Sequence, residues 1–92
     1  MFYHAVPTSR AKKVLREALK PTKNQIFLAP TKDDAVYAAS QWHRDDTFSL
    51  LEVNLEGLTF DGVASDGDNI VLDTKRKVPG SRLKLVGILG RY

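Results

Sequence analysis

Residues 48–55 of this 92-residue chain read Phe-Ser-Leu-Leu-Glu-Val-Asn-Leu, and this stretch decides the fold class. Its apolar and polar side chains alternate, with the apolar ones at Leu51, Val53 and Leu55. Such alternation places one face of a β-strand against a core and the other face in solvent. The stretch therefore predicts a β-strand, the clearest one in the sequence.

Two shorter strands are predicted on the N-terminal side of this one. Residues 2–6 favour β-structure, are closed by Pro7 and carry His4 in their middle. Residues 25–29 form a short apolar run that ends at Pro30, which favours a buried strand over a helix.

A first helix is predicted between these two strands. Thr8 or Ser9 can cap it, because a side-chain oxygen there satisfies free amide groups of the first helical turn. Apolar residues then follow with the spacing of an amphipathic helix, namely Ala11, Val14, Leu15, Ala18 and Leu19. We expect this helix to end at Pro21.

A second helix is predicted after the second strand. Thr31 is its expected cap, and Asp33 and Asp34 place negative charge in the first turn, where it complements the helix dipole. The predicted inner face consists of Ala35, Val36, Ala38, Ala39 and Trp42. Trp42 is expected to anchor the helix end, with a pocket-lining position as the alternative. Tyr37 lies to one side of this face.

The rest of the chain predicts a Gly-rich loop at residues 61–68, a short strand at 70–72 and a last strand at 83–89 with two largely apolar faces. Early helices followed by a run of strands indicate an α+β fold, in which two helices pack on a small, mainly antiparallel sheet. A chain of this length has room for one core, so residues 1–92 are predicted to form a single domain.

Composition and motifs exclude several classes of function. The chain has no cysteine, which rules out disulfides, thiolate zinc sites and cysteine nucleophiles. It contains no HExxH pair, phosphate-binding glycine loop or GxSxG serine elbow, and no metal site is predicted. No apolar run is long enough to cross a membrane, so we expect a cytoplasmic protein without membrane partners.

Five phrases stand in order along the chain: FYHAV at residues 2–6, LREALKP at 15–21, IFLAPTKDDAVYAAS at 26–40, LLEVNLEGL at 50–58 and NIVLDTKRKVPGSRLKLVGIL at 69–89. In this order they resemble the ADP-ribosyltransferase-like superfamily, which includes poly(ADP-ribose) polymerase-type toxins and RNA 2′-phosphotransferases. The resemblance covers nearly the whole chain. It implies the fold of that superfamily and NAD as the cofactor.

The resemblance also implies roles for individual residues. His4 would hydrogen-bond the adenosine ribose of NAD, since an imidazole can donate to a sugar hydroxyl, and Tyr37 would stack on the nicotinamide ring. Asp68 stands where the superfamily has an acid, usually Glu, that orients the nucleophile and stabilises positive charge developing on the ribose. Thr8 or Ser9 would supply the hydroxyl group that the superfamily has close behind the His.

Purely structural interpretations stand beside these roles. Without the resemblance, His4 is a hydrogen-bonded core or edge histidine, and Tyr37 is an aromatic residue at the edge of the core. Asp68 is then a turn residue whose side chain bonds nearby backbone amides.

The resemblance leads to two functional hypotheses. The first is an NAD-dependent transferase that cleaves the N-glycosidic bond of NAD and passes ADP-ribose to a protein or RNA acceptor. The second is a catalytically silent module of the same fold that binds a nucleotide, an ADP-ribose derivative or a protein partner, as a decoy or inhibitor would. Its motivations are the small size of the chain and Asp68 in place of Glu.

A third hypothesis does not depend on the resemblance. A nucleic-acid module that uses the basic turn at residues 75–84 would bind with an affinity that falls as salt is added.

Overall fold

In the computed structural model, which describes residues 1–91 except for the side chain of Asp66, two early helices alternate with short strands. The elements in chain order are β1 (Phe2–Pro7), α1 (Thr8–Arg16), β2 (Ala18–Leu19), β3 (Gln25–Leu28), α2 (Lys32–Trp42), β4 (Thr47–Val53), β5 (Gly62–Asp66), β6 (Asn69–Asp73), β7 (Val78–Pro79), a 3₁₀ helix (Gly80–Arg82) and β8 (Leu83–Gly90). All named strand pairs are antiparallel, which confirms the predicted α+β class with mainly antiparallel pairing. The named strands form three small sheets, however, and not the one sheet that was predicted.

The strand that decides the fold is β4, and it lies at the centre of a three-stranded sheet. Strand β1 pairs with one edge of β4 and strand β8 pairs with the other. Phe48 and Leu51, which point to opposite faces of β4, are both fully buried. The predicted strand is therefore confirmed, and it is covered on both faces along most of its length.

A second three-stranded sheet has the order β3-β6-β5, and a short strand pair joins β2 to β7. One isolated bridge, between Tyr3 and Ala29, connects β1 to the residue that follows β3. Within residues 1–91 this bridge is the only backbone pairing between the two larger sheets. The two sheets are joined at one end and separate beyond it.

The two helices cover opposite faces of the sheet that contains β4. Val6 and Leu51 share a buried cluster with residues of α1, whereas Ala5 and Leu50 share another with residues of α2. Neighbouring residues of a strand point to opposite faces, so each face of the sheet has its own helix. Among residues 1–91, no helix is long and apolar enough to cross a lipid bilayer.

Helix α1 starts differently from the prediction. It begins at Thr8, directly after Pro7, and no side chain caps it, so the predicted caps at Thr8 and Ser9 are wrong. Because both residues already have helical backbone, neither is in the extended cap position from which an oxygen reaches the free amides.

Helix α1 also ends earlier than predicted. Its last residue is Arg16 rather than a residue next to Pro21, because Ala18–Leu19 forms strand β2 and pairs with Val78–Pro79. These two residues continue the apolar spacing of the helix, but a strand pair between distant parts of the chain overrides that local pattern.

Helix α2 begins as predicted and ends differently. The hydroxyl oxygen of Thr31 accepts a hydrogen bond from the Asp34 amide at 3.2 Å, which confirms the cap. Ala35 and Val36 are buried, as the predicted inner face requires. Trp42 is 74% exposed, so its predicted role as the anchor of the helix end is wrong.

Residues 61–68, predicted as a loop, form most of a β-hairpin instead. Strand β5 pairs with β6 through a two-residue turn at Gly67 and Asp68. Gly67 has a φ of 63°, which glycine adopts without steric cost and which a type II′ turn requires at its first central position. Strand β5 lies at the edge of its sheet and has exposed side chains such as Val63. Because an exposed edge strand does not need apolar residues, the polar composition of this stretch did not indicate a strand.

Strand β8 confirms the predicted last strand, but many of its apolar side chains face solvent. Leu85, Ile88 and Leu89 are exposed, and β8 is an edge strand. A register shift between Leu50 and Leu51 interrupts its pairing with β4. The strand therefore has one unpaired edge that carries apolar residues.

Gly80 lies against the end of α1, and we expect Gly80→Ala to destabilise the fold. A Cβ at this position would stand 2.2 Å from the carbonyl oxygen of Leu15, which is a backbone atom. The free energy of unfolding, measured by urea denaturation, should fall by about 1–3 kcal/mol. Gly87→Ala is the matched control, because nothing lies within 4 Å of its Cβ position. An equal loss in both variants would contradict this account.

Candidate functional site

A cavity of about 640 Å³ opens where strands β1 and β3 separate. At the closed end, the Tyr3 amide donates to the Ala29 carbonyl at 2.8 Å and the Ala29 amide donates to the Tyr3 carbonyl at 2.9 Å. Beyond this bridge, residues 3–7 and 25–27 line the cavity from the two strands. The volume lies within the range of about 300–1,000 Å³ that is usual for small-molecule sites.

His4 connects the two walls of the cavity. Its Nδ1 lies 2.7 Å from the carbonyl oxygen of Phe27, across the gap between β1 and β3. Because a carbonyl oxygen can only accept, Nδ1 carries the proton in this contact. In the neutral ring the other nitrogen, Nε2, is then an acceptor that a ligand hydroxyl can use.

Burial lowers the pKa of His4 below its usual value. The hydrogen bond to Phe27 opposes this shift, and the nearby His43 adds to it. The imidazole is therefore neutral at pH 7, and Nε2 accepts a hydrogen bond rather than donating one. The contact of His4 with a ribose stays a prediction, and in this tautomer the sugar hydroxyl would donate and the ring would accept.

Positive charge surrounds the cavity. Four cationic side chains line it, namely Arg10, Lys13, Lys20 and Lys23. One carboxylate, Glu17, lines it as well, and its oxygen lies 4.0 Å from a guanidinium nitrogen of Arg16. That contact is the only ion pair in the part of the chain that the structure describes. The cavity thus favours anionic ligands.

Lys23, one of the cationic residues that line the cavity, lies in a turn with an unusual backbone conformation. Both residues have positive φ, 51° and 63°. Thr22 and Gln25 exchange backbone hydrogen bonds of 2.9 and 3.0 Å across the turn, and the Thr74 amide donates to the Asn24 carbonyl at 2.8 Å. A left-handed conformation costs a lysine roughly 1–2 kcal/mol, and such strain is concentrated at functional sites.

One face of α2 forms the opposite wall. Ala35, Ala38, Ala39 and Trp42 line the cavity, and their spacing places them on one stripe of the helix. Ala35 and Ala39 are buried against the sheet, so Ala38 and the indole of Trp42 form the accessible part of this wall. The position of Trp42 on this stripe confirms the alternative prediction that it lines a pocket.

Of the residues predicted for the site, the structure brings only His4 into the cavity. Tyr37 is 54% exposed and is not among the lining residues, although helix α2 packs against β1. Asp68 is exposed on the turn between β5 and β6. The roles proposed for these two residues stay predictions.

Thr8 and Ser9 lie in the first turn of α1, between Pro7 and Arg10, which do line the cavity. The hydroxyl of Ser49 donates to the Thr8 hydroxyl oxygen at 3.4 Å, and Ser9 is exposed. Their predicted contact with a ligand also stays a prediction. Among residues 1–91, no three His, Asp or Glu side chains are grouped as metal ligands.

Comparisons of this sequence with models of known protein families and with curated proteins find no match. The resemblance to the ADP-ribosyltransferase-like superfamily therefore rests on the five ordered phrases. The geometry of the cavity provides independent grounds for a ligand, because it combines a hydrogen-bond acceptor, a cationic lining and apolar walls.

His4 should make the free energy of unfolding depend on pH. Its pKa is lowered in the folded protein, whereas the unfolded chain has the usual value of about 6.5. As the pH falls below about 6.5, the unfolded chain takes up a proton that the folded protein does not, so stability decreases until His4 is protonated in the fold. Urea denaturation across this range should show the decrease in the wild type and in His43→Gln, but not in His4→Gln. The same decrease in His4→Gln would contradict the assignment.

Proposed function

We propose that this chain is a minimal ADP-ribosyltransferase-like domain that binds NAD or an ADP-ribose-like nucleotide in the cavity at His4. One observation carries the proposal: a neutral imidazole with a free acceptor nitrogen lies in an apolar cavity lined by four cations. The order of the five sequence phrases supports the same assignment independently.

Each part of such a nucleotide has a chemical counterpart in the cavity. A ribose hydroxyl can donate to Nε2 of His4, because Nδ1 is already committed to Phe27. The pyrophosphate can be held by the ammonium groups of Lys13, Lys20 and Lys23. Apolar lining residues then accommodate the carbon skeleton of the sugars and the faces of the rings.

Binding without turnover is the form of this function that the geometry favours. Asp68 is exposed on a hairpin turn and is not among the residues that line the cavity. In that position its carboxylate would have to move toward the ligand before it could stabilise charge on a reacting ribose.

A transferase is the second candidate, and the match of FYHAV and IFLAPTKDDAVYAAS to the superfamily phrases favours it. In this case the N-glycosidic bond of NAD breaks, nicotinamide leaves with the bonding electrons, and ADP-ribose passes to a nucleophile of a protein or RNA acceptor. Asp68 and Tyr37 would then contribute from the turn and the helix flank.

Replacing a cation of the cavity should weaken binding, whereas replacing its neighbour should not. Lys13 lines the cavity, and Lys12 stands beside it on the same helix, is also exposed and lies outside the lining. We expect Lys13→Gln to weaken NAD binding roughly fivefold in titration calorimetry, since it removes one partly solvated contact to phosphate. Lys12→Gln changes the net charge equally and should leave the affinity within about a factor of two.

The same samples separate the two candidates when nicotinamide release is assayed. Release that is lost in Asp68→Asn establishes the transferase. Binding without release establishes the silent module, and Asp68→Glu then tests whether the longer acid restores turnover. If the wild type binds neither NAD nor ADP-ribose, the proposed function is wrong.

A further inference from the structure

Helix α2 presents a stripe of side chains to the cavity. The stripe consists of small residues except for a large one at its C-terminal end. Ala35, Ala38 and Ala39 line the cavity, and Trp42 follows one helical turn after Ala38. Ala35 and Ala39 are buried, so a flat group can approach this wall at Ala38, beside the indole. The indole of Trp42 extends further than the alanines and borders the same space.

Trp42 exposes a large aromatic ring beside the cavity. Indole is among the largest apolar side chains, yet this one is 74% exposed. Among residues 1–91, no hydrogen bond and no ring contact involves its indole. An aromatic ring that borders a cavity and has no hydrogen bond or ring contact within the described residues is available to a ligand.

We propose that Trp42 is a specificity-determining residue that stacks on a heteroaromatic ring of the bound nucleotide. This inference rests on the proposed function and adds the group that recognises the ring. The lysines that line the cavity attract any anion, and His4 serves any hydroxyl group. Neither of these distinguishes a nucleotide from a sugar phosphate, whereas stacking on an indole face does.

Trp42 suits this task better than Tyr37, the residue to which the resemblance assigns stacking. Both residues lie on α2, but Trp42 is on the stripe that faces the cavity and Tyr37 is not. A ring held against Ala38 therefore lies within about one helical turn of the indole.

The test uses Trp42, the one tryptophan of the chain, both as a reporter and as a site of mutation. Intrinsic fluorescence and calorimetry follow titration with ADP-ribose, nicotinamide mononucleotide and inorganic pyrophosphate. ADP-ribose carries adenine, the mononucleotide carries nicotinamide, and pyrophosphate carries no ring. We expect the fluorescence of Trp42 to be quenched by a ring-bearing ligand but not by pyrophosphate.

Variants measure the contribution of the ring. Trp42→Ala should weaken the binding of the ring-bearing ligand about tenfold, a typical effect of losing one stacked base, and leave pyrophosphate binding within about a factor of two. Trp42→Phe keeps a flat face and should retain affinity within about threefold of the wild type. Because Trp42 is mostly exposed, these changes leave the buried core intact, which circular dichroism verifies.

The outcomes separate this inference from the proposed function. Quenching by ADP-ribose alone assigns the stacked ring as adenine, and quenching by the mononucleotide alone assigns it as nicotinamide; both support the inference. If the wild type binds ADP-ribose and Trp42→Ala binds it equally well, stacking on Trp42 is wrong while the proposed function stands. A loss of binding confined to Tyr37→Ala would likewise contradict stacking on Trp42. If the wild type binds none of the three ligands, both proposals are wrong.

Discussion

The single backbone bridge between Tyr3 and Ala29 is the constraint on which the rest of the structure depends. It joins two antiparallel sheets at one point and leaves strands β1 and β3 to diverge beyond it. Had the two strands continued to pair, their backbones would lie about 5 Å apart and no cavity could form. The opening between the sheets is thus a result of strand pairing that stops after one step.

His4 lies at the point where this opening starts, and its structural and chemical roles depend on the same bond. The contact to Phe27 holds the two strands together and fixes the tautomer of the ring. Burial keeps the ring neutral, so the free nitrogen is an acceptor. A histidine with a satisfied structural bond and a histidine that serves a ligand are therefore not competing interpretations here.

Local chemistry made part of the fold predictable. The strand around Leu51, the Thr31 cap and the position of His4 all depend on neighbouring residues, and all three agree with the structure. Ala18 and Leu19 continue a helical pattern, but they form a strand because they pair with Val78–Pro79, which lies some sixty residues later. No local pattern contains that information.

The site was predictable only where it coincides with the core. His4 could be singled out because an imidazole is unusual in an apolar strand. The cavity itself arises from where β1 and β3 separate, and its alanine stripe has the same sequence spacing as a helix face packed on a sheet. The exposure of Trp42 follows from what lies opposite that face, and a single sequence does not contain this. In strand β8, by contrast, composition has a consequence for solubility. Lys84 is the one charged residue of β8, whose open edge is otherwise apolar. Charge at an open edge opposes the addition of a strand from another molecule, so Lys84 disfavours aggregation through this edge.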